Sequence, residues 1–396
     1  MMNTIWFMIL CATFLSAQFA VFCHASMNPS ETIQNYGYPV EIHKVVTEDG
    51  YILNNFRIPY GRKNQTSKPR FPVLLVPGIG NTHSVYLTSG PALSLGYILA
   101  DEGFDVWLVN NRGTKWSKKH RTLDPIRNKR SFFDYSFEEV GLYDLPAIID
   151  YVLNVTNFKK LFYIGYSQGT TSFFLMASAK PEYNERIMLM TAFAPVTYLF
   201  NNQHILLSFF KIHLKELQEL TEKNGVYDLF SHPSQITSLI NAFCNNNNNG
   251  IQFICAVPVY FIGGYSPNLN KRILGEVYKD LPTTISTKTL FHYTQLALAE
   301  QFQMYDYGAT KNIDKYGQTT PPQLNISKIT APVAFYYGGT DSLATRPDAE
   351  LLASRLPNIV EKKYFPSYSH SEFLWGDNTV TMLYDDLIRT MKNTLN

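Results

Sequence analysis

One short run constrains what this chain can fold into more than any other. The apolar stretch KLFYIG (160–165) leads without a spacer into Gly165-Tyr166-Ser167-Gln168-Gly169, and the residues that follow, TTSFFLMASAK, suit a helix. A G-x-S-x-G run with a strand before it and a helix after it is a turn too tight for side chains on its flanks. It holds the central hydroxyl exposed above the sheet. The N-terminus of the following helix adds partial positive charge where an oxyanion would form. The same residues in an ordinary strand–helix turn would carry no chemistry. With both flanks correct, Ser167 reads as a nucleophile.

The rest of the chain supplies the sheet that such a turn requires. Segments 41–47, 51–58, 72–76, 104–109, 160–165, 187–193, 332–337 and 359–365 read as strands, eight in all. The first two meet at Asp49-Gly50, a hairpin signal. The later ones, such as PVLLVP and PVAFYYG, are short and almost continuously apolar. That pattern suits strands buried on both faces, hence a mostly parallel eight-stranded sheet flanked by helices. Helical stretches at 91–102, 138–153, 168–180, 346–355 and 378–392 complete an α/β alternation. The alternation stops between residues 198 and 328. There Leu207, Phe210, Leu214 and Leu217 share one helical face. A mainly helical cap inserted into the core is expected, with that face packed onto the sheet; a lipid-facing lid is the sharper alternative. The expected organisation is a leader at 1–25, a first core part at 26–197, the cap at 198–328 and a second core part at 329–396.

A nucleophilic serine needs a base to take its proton, and the base needs an acid to fix its tautomer. In hydrolytic α/β folds the acid and then the histidine follow the serine in the chain, each at the carboxyl end of a strand. Strand PVAFYY is followed by Gly338-Gly339-Thr340-Asp341, which makes Asp341 the acid candidate; a turn aspartate capping the next helix is the plain alternative. Strand IVEKKYF is followed by Tyr368-Ser369-His370-Ser371, which makes His370 the base candidate, against a simple surface-loop histidine. His43, His83 and His120 precede the serine, and His204, His213 and His292 lie in the insert, so none combines the order with a strand end. A tetrahedral intermediate also needs two backbone donors. One is expected to be Gln168 N–H, after the nucleophile. The other is expected to be Ile79 N–H in the loop Pro77-Gly78-Ile79-Gly80, where Gly78 allows close approach.

Residues 1–25 contain no Asp, Glu, Lys or Arg and hold an apolar run from Ile5 to Leu15 that ends in Cys23-His24-Ala25. This reads as a secretory signal cut after Ala25 rather than a membrane anchor, since Thr13, Ser16 and Gln18 break a run already too short to span. No later stretch is long and apolar enough to span. Removal of the signal leaves Cys244 and Cys255, which read as one disulfide or, alternatively, as two buried thiols. Acceptor sequons stand at Asn64, Asn154 and Asn325. With 34 Lys and Arg against 32 Asp and Glu, the net charge of +2 is too balanced for a chain that coats nucleic acid. The 45% hydrophobic content excludes a disordered chain.

Several blocks in order resemble one family: NYGYPVEIHKVVTEDGYIL, FDVWLVNNRGTKWS, SFEEVGLYDLPAIIDYVL, GYSQGTT, MYDYG, GGTDSLA and HSEFLWG. They are similar to the acid lipases of the α/β-hydrolase superfamily, a group that includes gastric and lysosomal lipases and secreted insect relatives. The resemblance covers essentially the whole mature chain. It implies an α/β-hydrolase fold and cofactor-free, metal-free hydrolysis of neutral lipid esters at a lipid–water interface. The esters implied are chiefly triacylglycerols, with cholesteryl esters as a further class. It also implies Ser167 as nucleophile, Asp341 as acid, His370 as base, Ile79 and Gln168 as oxyanion donors, and a cap disulfide between Cys244 and Cys255. Secretion is the expected destination, and a lysosomal one is compatible with it. The family usually has histidine where this chain has Pro77 and Tyr166, which bears on pH optimum and substrate preference. A short-chain carboxylesterase and a catalytically silent lipid carrier are the rival functions.

Overall fold

The computed structural model describes residues 29–62, 69–231, 240, 243–245 and 248–395. The expected leader and the Asn64 sequon lie outside the described residues.

The eight expected strands form one sheet. They are β1 (Glu41–Val46), β2 (Ile52–Ile58), β3 (Pro72–Val76), β4 (Asp105–Leu108), β5 (Leu161–Tyr166), β6 (Ile187–Phe193), β7 (Val333–Gly338) and β8 (Ile359–Phe365). Their order is β1-β2-β4-β3-β5-β6-β7-β8. The β1–β2 hairpin is antiparallel, turns through Gly50 at φ +101°, and joins β4 antiparallel; every other neighbour is parallel. The strands β3, β4, β5 and β7 are buried throughout, which accounts for their unbroken apolarity. Alternate residues feed opposite faces: Val73 and Leu75 join one core, Leu74 and Val76 the other.

Flanking helices include α1 (Leu95–Asp101), α2 (Leu145–Thr156), α3 (Gln168–Ala179), α7 (Arg346–Arg355) and α8 (Asp385–Asn393). The expected helix at 138–153 begins one residue earlier, at Phe137, where Ser136 and Glu139 form a reciprocal cap. It then passes through a wider π turn at Val140–Asp144 before continuing as α2.

Between β6 and β7 the chain forms α4 (Ile205–Lys223), α5 (Asn249–Gly263) and α6 (Thr287–Ala299) among shorter helices. Cys244 and Cys255 are joined by a disulfide that ties the approach to α5 to its second turn. The apolar face of α4 differs from expectation. Leu207, Phe210, Leu214 and Leu217 are half-buried, and the main neighbour of α4 is α6 rather than the sheet. The reason is that α6 takes the inner position. Its Tyr293 ring lies 4.7 Å from Phe137 and its hydroxyl 3.1 Å from Thr171 Oγ1, while Leu296 joins the core.

Candidate active site

The strand β5 ends at Tyr166, and Ser167 takes φ +53° and ψ −118° before α3 begins at Gln168. A left-handed backbone at a non-glycine residue is strained and persists only where its surroundings enforce it. Here the enforcement is steric. A side chain at Gly169 would overlap the Val76 carbonyl oxygen, and one at Gly165 would come within 2.9 Å of the Gly169 backbone. Helix α3 therefore starts hard against β3 and β5, and the serine is left at the rim. Ser167 N–H donates to Phe193 O at 3.0 Å, which pins the turn to β6 as well.

The structure brings together the three side chains that the sequence singled out. His370 Nε2 lies 2.8 Å from Ser167 Oγ, and His370 Nδ1 lies 2.9 Å from Asp341 Oδ2 and 3.1 Å from Asp341 Oδ1. Asp341 Oδ1 also accepts the backbone N–H groups of Leu343 and Ala344, each at 2.8 Å. A carboxylate held in this way orients the ring, with Nδ1 toward the acid as donor and Nε2 toward the serine hydroxyl. All three residues are buried, so these bonds act in a medium that screens them weakly.

Gln168 and Ile79 line one narrow cleft with Gly78, Gly80, Asn81 and Asn111. Gln168 opens α3, where its N–H has no carbonyl one turn back to donate to. The insert roofs this side of the site: Thr283 N–H donates to Gly80 O at 2.8 Å, and Lys115 N–H donates to Thr283 Oγ1 at 3.0 Å.

Tyr166 packs its ring 5.2 Å from that of His370 and is buried. Burial, reinforced by the Asp341 charge, pushes its phenol well above the ordinary range, so it stays neutral beside the His370 ring. Two other histidines are core groups. Burial depresses His292 to about 3, and its Nε2 donates to Gln303 O at 3.1 Å while Nδ1 accepts from Ser136 Oγ at 2.9 Å. Burial likewise lowers His83, which stacks on Phe56 at 4.2 Å.

Some contributors were not singled out in the sequence. Arg112, buried in the loop after β4, bonds Asp144 at 2.8 Å and Asp49 at 2.6 Å, tying the hairpin turn and the approach to α2 to the floor of the cleft. Gly263, at the carbonyl end of α5, accepts His370 N–H at 2.9 Å. A Gly-Gly pair after an apolar helical run is a helix stop signal, but it does not say what the freed carbonyl meets.

Among the described residues, no group of three or more His, Cys, Asp or Glu side chains is placed to hold a metal ion.

Comparison with known proteins places the chain as a whole. Residues 72–377 match the sequence model of the α/β-hydrolase fold, and residues 29–90 match a partial α/β-hydrolase lipase region. Lipase 1 of Drosophila melanogaster is 34% identical over 371 residues, covering 93% of this chain and 80% of that protein. Human gastric triacylglycerol lipase is 34% identical over 366 residues, covering 92% of this chain and 90% of its own length. Among solved structures, a soluble variant of monoglyceride lipase from Saccharomyces cerevisiae superposes with a TM-score of 0.51 at 17% identity, covering 90% of this chain and 98% of that one. That level of likeness speaks to the fold alone. Shared sequence over nearly the whole length is what decides the family: the chain belongs to the acid lipases of the α/β-hydrolase superfamily, beside the gastric and lysosomal lipases.

Proposed function

We propose that this protein is a secreted serine lipase that hydrolyses the ester bonds of neutral lipids, triacylglycerols foremost and cholesteryl esters as a second class. The observation that carries the reading is the continuous hydrogen-bonded chain from Asp341 through His370 to Ser167. In the proposed reaction Ser167 Oγ attacks the acyl carbonyl as His370 Nε2 takes its proton. Asp341 keeps the Nδ1–H tautomer and stabilises the imidazolium. The oxyanion is met by the N–H groups of Ile79 and Gln168, each worth about 3–4 kcal/mol in the transition state. His370 then protonates the departing alcohol, leaving an acyl-enzyme on Ser167. Water, deprotonated by His370, releases the fatty acid and restores the serine. No step calls for a metal or cofactor.

A lipid surface, rather than a dissolved ester, is favoured by the outer face of the insert, which we read as the cap (198–328). Helix α5 exposes Phe253, Ile254, Val257, Phe261 and Ile262, and Tyr265 is exposed just beyond it. The start of α4, with Ile205 and Leu206 exposed, is tied to the end of α5 by a 2.7 Å hydrogen bond between His204 Nε2 and Phe261 O. Scattered exposed apolar residues are ordinary; a run of them on one helix beside the site fits contact with an apolar phase. Secretion is supported by the disulfide and by exposed sequon asparagines, Asn154 on α2 and Asn325 before β7. A lysosomal destination would suit the same features. Among the described residues no helix is long and apolar enough to cross a membrane.

The test is Ser167→Ala in pure protein, assayed on a long-chain triacylglycerol emulsion. Activity is expected to fall at least about 10⁴-fold, and retention of turnover overturns the nucleophile assignment. Wild-type rates across ester chain length, below and above the solubility limit, separate the lipase from a short-chain carboxylesterase. Covalent labelling by an active-site phosphonate separates either from a silent lipid carrier.

A further inference from the structure

We propose that the carbonyl end of α5 is a positioning element for the catalytic pair: Gly263 O, shared by the N–H groups of His370 and Ser342, fixes the loop carrying the base against the loop carrying the acid. This rests on the triad reading above. The distances are 2.9 Å from His370 N and 3.3 Å from Ser342 N, and one carbonyl has the two lone pairs that the arrangement requires. A second tie runs beside it, since Ser342 Oγ donates to Ile262 O at 2.7 Å. The acid Asp341 immediately precedes Ser342. One helix end of the insert therefore touches both strand-end loops that must stay in register for His370 Nδ1 to meet Asp341.

The approach is closer than side chains permit. A Cβ at Gly263 would lie 3.2 Å from both His370 Cβ and Ser371 Oγ. One at Gly264, where φ is +95°, would fall inside the Thr340 carbonyl oxygen. The chain then stays bonded to the core on the other side of the base: Asp377 N–H donates to Asn268 O and Asn270 N–H donates to Trp375 O, each at 2.8 Å. His370 is thus flanked along the chain by main-chain ties to the same stretch of insert. Two consequences follow. The helix that offers its apolar face to solvent cannot swing outward as a rigid piece without disturbing the base. The negative end of that helix also faces the residue that becomes cationic in the proposed reaction, which favours the charge. The titratable neighbours of His370 that share this setting are Asp341, Tyr166 and Glu372, the last accepting Ser369 N–H at 2.6 Å.

An anchor that merely held the insert in place would change stability. A positioning element changes turnover at constant affinity. The assay uses the full secreted chain and a soluble ester, p-nitrophenyl butyrate, so that no lipid surface enters. Ser342→Ala removes the hydroxyl tie without a clash and is expected to lower kcat about fivefold with KM unchanged, while Ser342→Thr, which keeps the hydroxyl, restores it. Gly264→Ala is expected to lower kcat at least about 50-fold; if that variant does not fold, the Ser342 pair decides. Wild-type kcat in Ser342→Ala, a loss that only tracks the folded fraction, or failure of Ser342→Thr to restore turnover overturns the proposal. Ser167→Ala in parallel keeps the two ideas apart, because its inactivity alongside a fully active Ser342→Ala leaves the triad standing and removes the positioning role.

Discussion

Helices α3 and α4 lie on either side of β6 in the chain, and both carry strongly apolar residues, yet their fates are opposite. Of the 12 residues of α3, all from Gln168 to Ser178 are buried, including two threonines and two serines. Of the 19 residues of α4, none is buried, and Ile205 and Ile212 stand 66% and 73% exposed. Helix α3 is enclosed by β5, by the turns before α2 and by the segment leading into β7, so its whole circumference faces protein. Among the described residues, the one substantial neighbour of α4 is α6, and half or more of the residues of α4 are exposed. Apolar content alone therefore does not place a helix; the number of elements that can reach it does. In this molecule the fully enclosed helix directly follows Ser167, the proposed nucleophile, and the sparsely covered ones lie where we propose that a lipid surface approaches.

The strongest way to break that contrast is to substitute one residue in each region. Gly169→Ala places a methyl group against the Val76 carbonyl oxygen, which backbone geometry cannot move aside. It should cost about 3 kcal/mol or more of stability and abolish phosphonate labelling of Ser167 along with it. Ile212→Ser, on the exposed face of α4, should stay within about 0.5 kcal/mol of the parent. Denaturant midpoints of the two variants would settle the matter, and a comparable loss in both would show that α4 is packed more tightly than its exposure implies.

A second experiment sharpens the functional half of the contrast. Replacing Phe253, Ile254 and Phe261 together with serine removes side chains that are 55%, 58% and 52% exposed, so folding has little to lose. If they contact lipid, emulsion hydrolysis should fall about tenfold, the equivalent of about 1.4 kcal/mol of lost apolar transfer, with the loss confined to emulsions. Equal losses on emulsion and dissolved ester would point instead to damage at the clamp on His370.

What could be read in the sequence follows the same division. The strands β3, β5 and β7 were legible because burial on both faces demands unbroken apolarity. Ser167, Asp341 and His370 stood out because the proposed reaction fixes their types and the topology fixes their order at strand ends. The seat of α4 on α6 was not legible, since an amphipathic face does not name its partner. Nor was the Gly263 carbonyl beneath His370 or the Thr283 N–H on Gly80, because main-chain hydrogen bonds can be made by almost any residue and leave no mark in composition. Arg112 shows a third case. Its partners Asp49 and Asp144 lie 63 and 32 residues away, and a charge in a sequence carries no address.

The seam between the two regions offers the smallest and most selective test. Glu138, at the start of the helical segment before α2, is buried and accepts Tyr305 N–H from the insert at 2.7 Å, with the Tyr316 hydroxyl 3.3 Å away. Its neighbour Glu139 is paired with Lys288 on α6 at 3.0 Å, and despite its burial that cation holds it below the usual range. Burial first, and the Glu139 charge second, push the Glu138 carboxyl up to about 7. A carboxyl whose folded value lies above its unfolded one binds more protons in the folded state, so stability falls as pH rises from the ordinary glutamate range toward neutrality. Glu138→Gln keeps the shape and removes the charge. It should therefore match the parent near pH 4 and exceed it by about 1 kcal/mol near pH 8, read from denaturant midpoints at the two pH values. The opposite sign, with the parent more stable at high pH, would mean that ionised Glu138 holds the insert to the core, and the seam would then tighten rather than loosen as protons leave.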